Sequence, residues 1–317
     1  MDQNYIAPAS ALKKLKKARN LSQTVYLYGA TGYGKTELVR QYLSGRRYTY
    51  LSCEELPWED GALPRLEPGR QKCRVVVIDD LHRLKSEELR QEILALEERE
   101  DIWLILVSRS PLPAWLMPRH IKSVFVVVSE DDLRMGRDEI TAYLDARGVV
   151  YTEEDIQYLQ NTAEGNAYVL HHVALRMKEG QSPGPELRTE IREAFASYLE
   201  NVVLVRWDSD LLEFLMQVSV VDEFTLELAE MISGNLHVTA LLEQAGEAGN
   251  FITQEDGTYR LRPVLIDALR NRALKLYGRE RVKDFKYNAA LYYEMHDEVV
   301  PALRLFEDCG KTERIKN

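Results

Sequence analysis

The chain has 317 residues, 45% of them apolar, and a formal net charge of −10. That length predicts two or three domains with real cores. That charge disfavours non-specific binding of the whole chain to nucleic acid or to an anionic membrane. Three cysteines, Cys53, Cys73 and Cys309, lie far apart in sequence, which argues against a disulfide framework and fits a reducing cytoplasm. No apolar run approaches the roughly 18 residues of a membrane helix, and the N-terminus lacks the layout of a signal peptide. The last residues, Glu313–Asn317, fall inside a helical pattern, so the chain reads as cut.

The first half alternates strand and helix. Thr24–Tyr28 is a short apolar run leading into glycine, and Glu37–Leu43 continues helically. Tyr48–Leu51 is β-rich, and Arg74–Asp79 is a β-branched run bounded by charge. Ser86 can cap a helix on which Leu89, Ile93 and Leu96 recur at i, i+4 and i+7. Ile102–Val107 and Ser123–Val128 are continuously apolar. Such strands are buried on both faces, as in a parallel sheet covered by helices. The alternation predicts the α/β class, and right-handed crossovers put helices on both faces of the sheet.

From Ser129 to about Val205 the pattern is helical only. Thr152 can cap a helix with Ile156, Leu159 and Ala163 inward, and Ala167–Met177 forms another. Gln181–Gly184 marks a linker or tight turn. Three helical stretches follow: Leu211–Val220, Leu226–Ile232 and Val238–Ala248. Phe251–Thr253 and Thr258–Leu261 then flank Asp256-Gly257, a strong hairpin signal. Three helices and a small hairpin outline a winged helix. From Pro263 the chain is helical again, and no repeat recurs at a fixed period.

The segment Gly29-Ala30-Thr31-Gly32-Tyr33-Gly34-Lys35-Thr36 fits the phosphate-loop pattern G-x-x-x-x-G-K-[ST]. Glycines let successive backbone N–H groups converge on phosphate oxygens. The helix that starts after Gly34 aims its positive end at the same anion. Lys35 is placed for the β- and γ-phosphates of ATP, and the Thr36 hydroxyl for Mg²⁺. Asp79 and Asp80 close the run Val75–Asp80, at the carboxyl edge of the sheet where ligands bind. Asp79 is expected in the Mg²⁺ shell, and Asp80 to orient or deprotonate the attacking water. Arg109 follows the strand Ile102–Val107 and is expected to touch the γ-phosphate.

Other charged features read more plainly. The run Lys13–Lys17 alternates with Leu12 and Leu15 and is the wet side of a helix. The basic cluster Arg270, Arg272, Lys275, Arg279, Arg281, Lys283 and Lys286 is interleaved with acids, as on a solvated or domain-contact face. His171 and His172 lack a metal-ligand partner at useful spacing.

The ordered series GATGYGKTELVRQYL, VVVIDDLHRL, LILVSRSPLP, EDDLRMGRDEITAYLDARGV, EDIQYLQNTAEGNAYVLHHVALRM, YRLRPVLIDALRNRAL and LYYEMHDEVVPALRLFEDCGKTER resembles the STAND class of signal-transducing P-loop ATPases. More narrowly, it is similar to the ATPase region of the MalT-like, LuxR-type transcriptional regulators, over nearly the whole chain. The resemblance implies a P-loop nucleotide-binding domain at 1–129, a helical lid at 130–205 and a winged helix at 206–280. The start of a helical-repeat sensor would occupy 281–317. It implies a closed monomer holding ADP, opened by ATP and an inducer into an oligomer. DNA would be bound only by a C-terminal domain absent from this chain.

The resemblance also places the nucleotide on the phosphate loop through Glu37, with Ile6, Ala7 and Pro8 as a strap over the base. The lid's glycine-x-proline sensor falls at Gly165-Asn166-Ala167, without proline, and the winged-helix histidine that reaches the β-phosphate falls at Arg262. The stretch between Thr36 and Val75 is short for the family. The function implied is a cytoplasmic ATP/ADP switch with slow hydrolysis. A DNA-handling P-loop ATPase and a non-catalytic nucleotide-holding scaffold are the alternatives.

Overall fold

The computed structural model describes residues 5–54, 74–122, 125–163, 165–248 and 251–311. Cys73, Ser123, Val124 and the final stretch Glu313–Asn317 lie outside them. The described residues fall into two compact units, the first up to Arg188 and the second from Thr189 onward apart from Ala248. No described helix is long and apolar enough to cross a membrane.

The first unit is built on five parallel strands: β1 (Thr24–Tyr28), β2 (Tyr48–Ser52), β3 (Arg74–Asp79), β4 (Ile102–Ser108) and β5 (Phe125–Val128). Their order across the sheet is β2-β3-β4-β1-β5. Every residue of β4 is buried, as a central strand covered on both faces requires. On one face Tyr26, Val76, Ile78, Leu104 and Leu106 form a core with Leu89, Ile93 and Leu96 of α3 (Glu87–Glu97). The alternate residues Val25, Leu27, Val77, Ile105 and Val107 are equally buried and point to the other face. There α1 (Ala9–Asn20) packs along β1 and β5. The α/β expectation therefore holds, helices on both faces included.

Strand order sets which residues meet at the sheet's carboxyl edge. β4 inserts between β1 and β3, so the turn after β1, the acids ending β3 and Arg109 after β4 all open on one edge. Capping is as the sequence pattern indicates. Ser86 Oγ accepts from Leu89 N at 3.3 Å. Thr152 and Asp155 cap each other's backbone N–H at 2.7 and 3.2 Å, starting α7 (Glu153–Ala163).

Beyond β5 come α5 (Glu130–Leu133), α6 (Arg137–Ala146), α7, α8 (Ala167–Lys178) and α9 (Pro185–Tyr198). The turn between α7 and α8 is pinned at Gly165. Its φ is +73°, and a Cβ there would stand 2.7 Å from Arg134 Cβ and 2.9 Å from Met135 N. The Met135 N–H also donates to Gly165 O at 3.0 Å. Gly165→Ala is expected to lower unfolding stability by about 3 kcal/mol, from left-handed strain plus overpacking against backbone. Urea titration at constant m-value measures it.

The second unit contains α10 (Ser209–Val218), α11 (Leu226–Ser233), α12 (Val238–Ala248), β7 (Ile252–Glu255) and β8 (Thr258–Leu261). The hairpin turns at Asp256 (φ 48°) and Gly257 (φ 81°), the paired left-handed conformations that an Asp-Gly turn supplies. A third strand, β6 (Glu223–Phe224), pairs with the free edge of β8. The sequence pattern gave no sign of it, because two residues are too short for a period. Phe224 stacks on Tyr259 across that pair, and Trp207 meets Phe251 edge-on.

Then follow α13 (Pro263–Met295), broken at Gly278, and α14 (Val299–Asp308). Several cations of the basic cluster pair with acids of the same unit: Arg270 with Asp222, Lys275 with Glu200, and Lys286 with Asp308. Lys14 of α1 departs from the wet-side expectation. Its ammonium donates to Val127 O at 3.1 Å and to Asp132 at 2.6 Å, because α1 lies against the end of β5.

Candidate nucleotide-binding site

The loop Gly29–Thr36 leaves the end of β1 and runs into α2 (Lys35–Tyr42). Gly32 (φ 94°) and Gly34 (φ 70°) are both left-handed, which bends the loop so that consecutive N–H groups form an anion-binding concavity. At Gly32 a Cβ would lie 2.7 Å from the Asn166 carboxamide and would have to displace it, and the left-handed φ itself disfavours a side chain. Lys35 is 9% exposed, and its ammonium donates to Ala30 O at 2.8 Å. Burial, then the positive Arg109, lower its pKa to about 8, against an opposing pull from Asp79, Glu130 and Asp80. The Thr31 hydroxyl is buried without a hydrogen-bond partner among the described residues.

Thr36 Oγ1 donates to Asp79 Oδ2 at 2.7 Å, so the two expected magnesium groups meet. Asp79 is 4% exposed. Its Oδ1 accepts from Asp80 N at 2.7 Å, and its Oδ2 also accepts from the Tyr50 hydroxyl at 2.7 Å. Asp80 sits in the left-handed region (φ 55°), a conformation aspartate tolerates better than most residues. Its Oδ2 accepts from the Ser52 hydroxyl at 3.0 Å. Burial and the Asp79 charge raise the Asp80 pKa, while Ser52, Arg109 and Arg83 pull it down. Arg109 therefore acts electrostatically on both Lys35 and Asp80. Its turn is pinned by the Tyr26 hydroxyl, which donates to Ser110 O at 3.0 Å and Pro111 O at 3.1 Å.

Pro8 is buried and leads into α1, with Leu12 N donating to Pro8 O at 3.0 Å. Tyr5, at the start of the same segment, is raised in pKa by burial and then by the Glu37 charge. Glu37 itself is exposed and accepts from Gln41 at 2.7 Å. Arg262 belongs to the second unit. It precedes α13, and its N–H donates to Phe251 O at 2.9 Å.

Three contacts on the loop have no counterpart in its motif. Glu130, 4% exposed, accepts from Ala30 N at 2.7 Å and packs against Gly29. Asn166 caps α8 by accepting from Tyr168 N and Val169 N, and its amide reaches Thr31 O at 3.4 Å. Tyr168 N also donates to Gly32 O at 2.9 Å, so the first turn of α8 is seated on the loop. A fourth feature, His82, lies among Arg109, Arg83 and Lys35. Burial, followed by those charges, pushes it down to about 3, so its ring is neutral.

The residues present fit a magnesium nucleotide. A loop of backbone donors ends in a buried cation, and beside it stand a hydroxyl and a carboxylate, the hard oxygen ligands that Mg²⁺ takes.

Known proteins resemble the chain in sequence and in fold. Residues 199–281 match the family model for the MalT winged helix domain. The chain is 28% identical over 242 residues to the serine/threonine-protein kinase PknK of Mycobacterium tuberculosis, covering 72% of this chain and 22% of that protein. It is 23% identical over 196 residues to the HTH-type transcriptional regulator MalT of Vibrio parahaemolyticus, covering 60% of this chain and 22% of that protein. Among solved structures, the Walker-type ATPase PABY2304 of Pyrococcus abyssi superposes with a TM-score of 0.62 at 16% identity, over 84% of this chain and 96% of that one.

Sheet order and loop together define the P-loop NTPase fold. Residues 199–281 are similar to the MalT winged helix domain and the longer chain to parts of PknK and MalT, in line with the MalT-like, STAND-class resemblance of its motifs. The chain spans about a fifth of the length of those curated relatives.

Proposed function

We propose that this module is an ATP/ADP switch with slow hydrolysis, serving a transcriptional regulator. The supporting observation is the seat of α8 on the phosphate loop, through Tyr168 N to Gly32 O and through Asn166. A loop that adjusts around a polyphosphate moves the first turn of that helix with it. A ligand shifts a conformational equilibrium only through contacts that differ between states. The difference in this reading is the γ-phosphate, sensed by Arg109 and the Thr36–Asp79 pair.

In this reading Lys35 holds the β- and γ-phosphates, and Asp80 holds the attacking water. The segment Ile6–Pro8 straps the base. Thr36 and Asp79 would hold Mg²⁺, which supplies charge neutralisation on the phosphate oxygens. The division into a nucleotide domain (1–129), lid (130–205), winged helix (206–280) and sensor start (281–317) belongs to the same proposal. So do a cytoplasmic location, a monomer with ADP, and an oligomer formed with ATP and an inducer.

A switch of this kind keeps its product. Mass spectrometry of nucleotide released from the purified chain is expected to find ADP in near-stoichiometric amount. Rapid steady-state turnover with freely exchanging nucleotide would refute the reading.

A further inference from the structure

β2 is the edge strand of the sheet, next to β3. Tyr50 and Ser52 are two residues apart and therefore share one face. Ser52 lies in register with Asp79, which brings both hydroxyls to the acids that end β3. Ser52 serves Asp80 and Tyr50 serves Asp79. The Tyr50 ring is held in turn by the Arg40 guanidinium of α2, 5.5 Å from its centroid. Neither hydroxyl belongs to the phosphate loop or to the acidic pair.

The Asp79 carboxylate has about four lone-pair directions. Three are taken: Asp80 N on Oδ1, and Thr36 and Tyr50 on Oδ2. Because Asp79 is buried, bulk water does little to orient it. Tyr50 is the donor that comes from outside both the phosphate loop and β3, and it restrains the same oxygen that Thr36 meets.

We propose that Tyr50 is a positioning residue for magnesium, its phenol fixing Asp79 beside Thr36 so that the two present a preset oxygen pair to the cation. The proposal rests on the reading of this site as a magnesium-nucleotide site. Outer-shell donors to metal-binding carboxylates are commonly worth 10–100-fold in metal affinity. The phenol therefore governs how much magnesium tightens nucleotide binding, while binding without the metal does not depend on it.

The test is calorimetry of ADP binding to the full chain, with magnesium and with a chelator. The readout is the ratio of the two affinities. Tyr50→Phe is expected to lower that ratio roughly tenfold and to leave the chelator affinity at the wild-type value. Tyr48→Phe, the same chemical change two residues earlier on the same face, keeps the wild-type ratio. Thermal unfolding without nucleotide checks that Tyr50→Phe is folded. An unchanged ratio in Tyr50→Phe would make the phenol a packing group only. A larger ratio would make it a competitor of the metal. Either result overturns the proposal while leaving the site reading intact. A wild-type chain that binds no nucleotide, or binds it with no gain from magnesium, brings down the site reading and this inference with it.

Discussion

Lys35→Ala is expected to weaken nucleotide binding at least tenfold in calorimetry, the largest loss from any single loop side chain. One charge-assisted contact to a phosphate is worth about 1.5–3 kcal/mol. Unchanged binding would contradict the site assignment. Lys35 also gives the wild type a distinct pH signature. In the free protein, burial and Arg109 hold its pKa at about 8. A bound polyphosphate reverses that balance and raises the pKa. The protonated form is then the binding form, so affinity is flat below about pH 8 and falls as pH rises beyond it. Binding near pH 8.5 takes up a proton, which titration in buffers of different ionisation enthalpy detects. The alanine variant loses both the slope and the uptake.

The parts of the site that were legible in the sequence are those set by local spacing. Gly29 to Thr36 is contiguous, and Asp79 and Asp80 directly follow an apolar strand, so pattern alone placed them. Arg109 was legible for the same reason, as the first cation after β4. The contacts that brace the site join residues far apart in the chain. Glu130 meets Ala30 across 100 positions, Asn166 meets Thr31 across 135, and Tyr26 meets Ser110 across 84. They depend on strand order and on where the helices after β5 return, which no periodicity encodes. Tyr50 and Ser52 are an intermediate case. Their i, i+2 spacing put two hydroxyls on one face of β2, but only the parallel register with β3 turns that face toward the acids. Lys14 shows the converse. Its run looked uniformly wet, and the packing of α1 on the end of β5 singled out one lysine for Asp132.

Asp80→Asn is expected to abolish measurable hydrolysis while nucleotide affinity stays within a few-fold of wild type. The carboxamide is nearly isosteric, so the Ser52 hydroxyl keeps an oxygen partner and the left-handed turn at Asp80 persists. In the proposed reading it removes the negative oxygen that would hold and deprotonate water, a function worth about 10²–10⁴ in rate. In the wild type, burial and the neighbouring Asp79 raise the Asp80 pKa. Only the ionised form serves as base, so turnover rises with pH through that raised pKa and levels off above it. The asparagine variant has no such rise. Single-turnover phosphate release, read beside calorimetric ADP binding, separates the outcomes. Hydrolysis lost with binding kept assigns Asp80 to the chemistry. Binding lost together with hydrolysis would instead make Asp80 part of the nucleotide cradle, and a wild type with no hydrolysis to lose would make the module a holder of nucleotide.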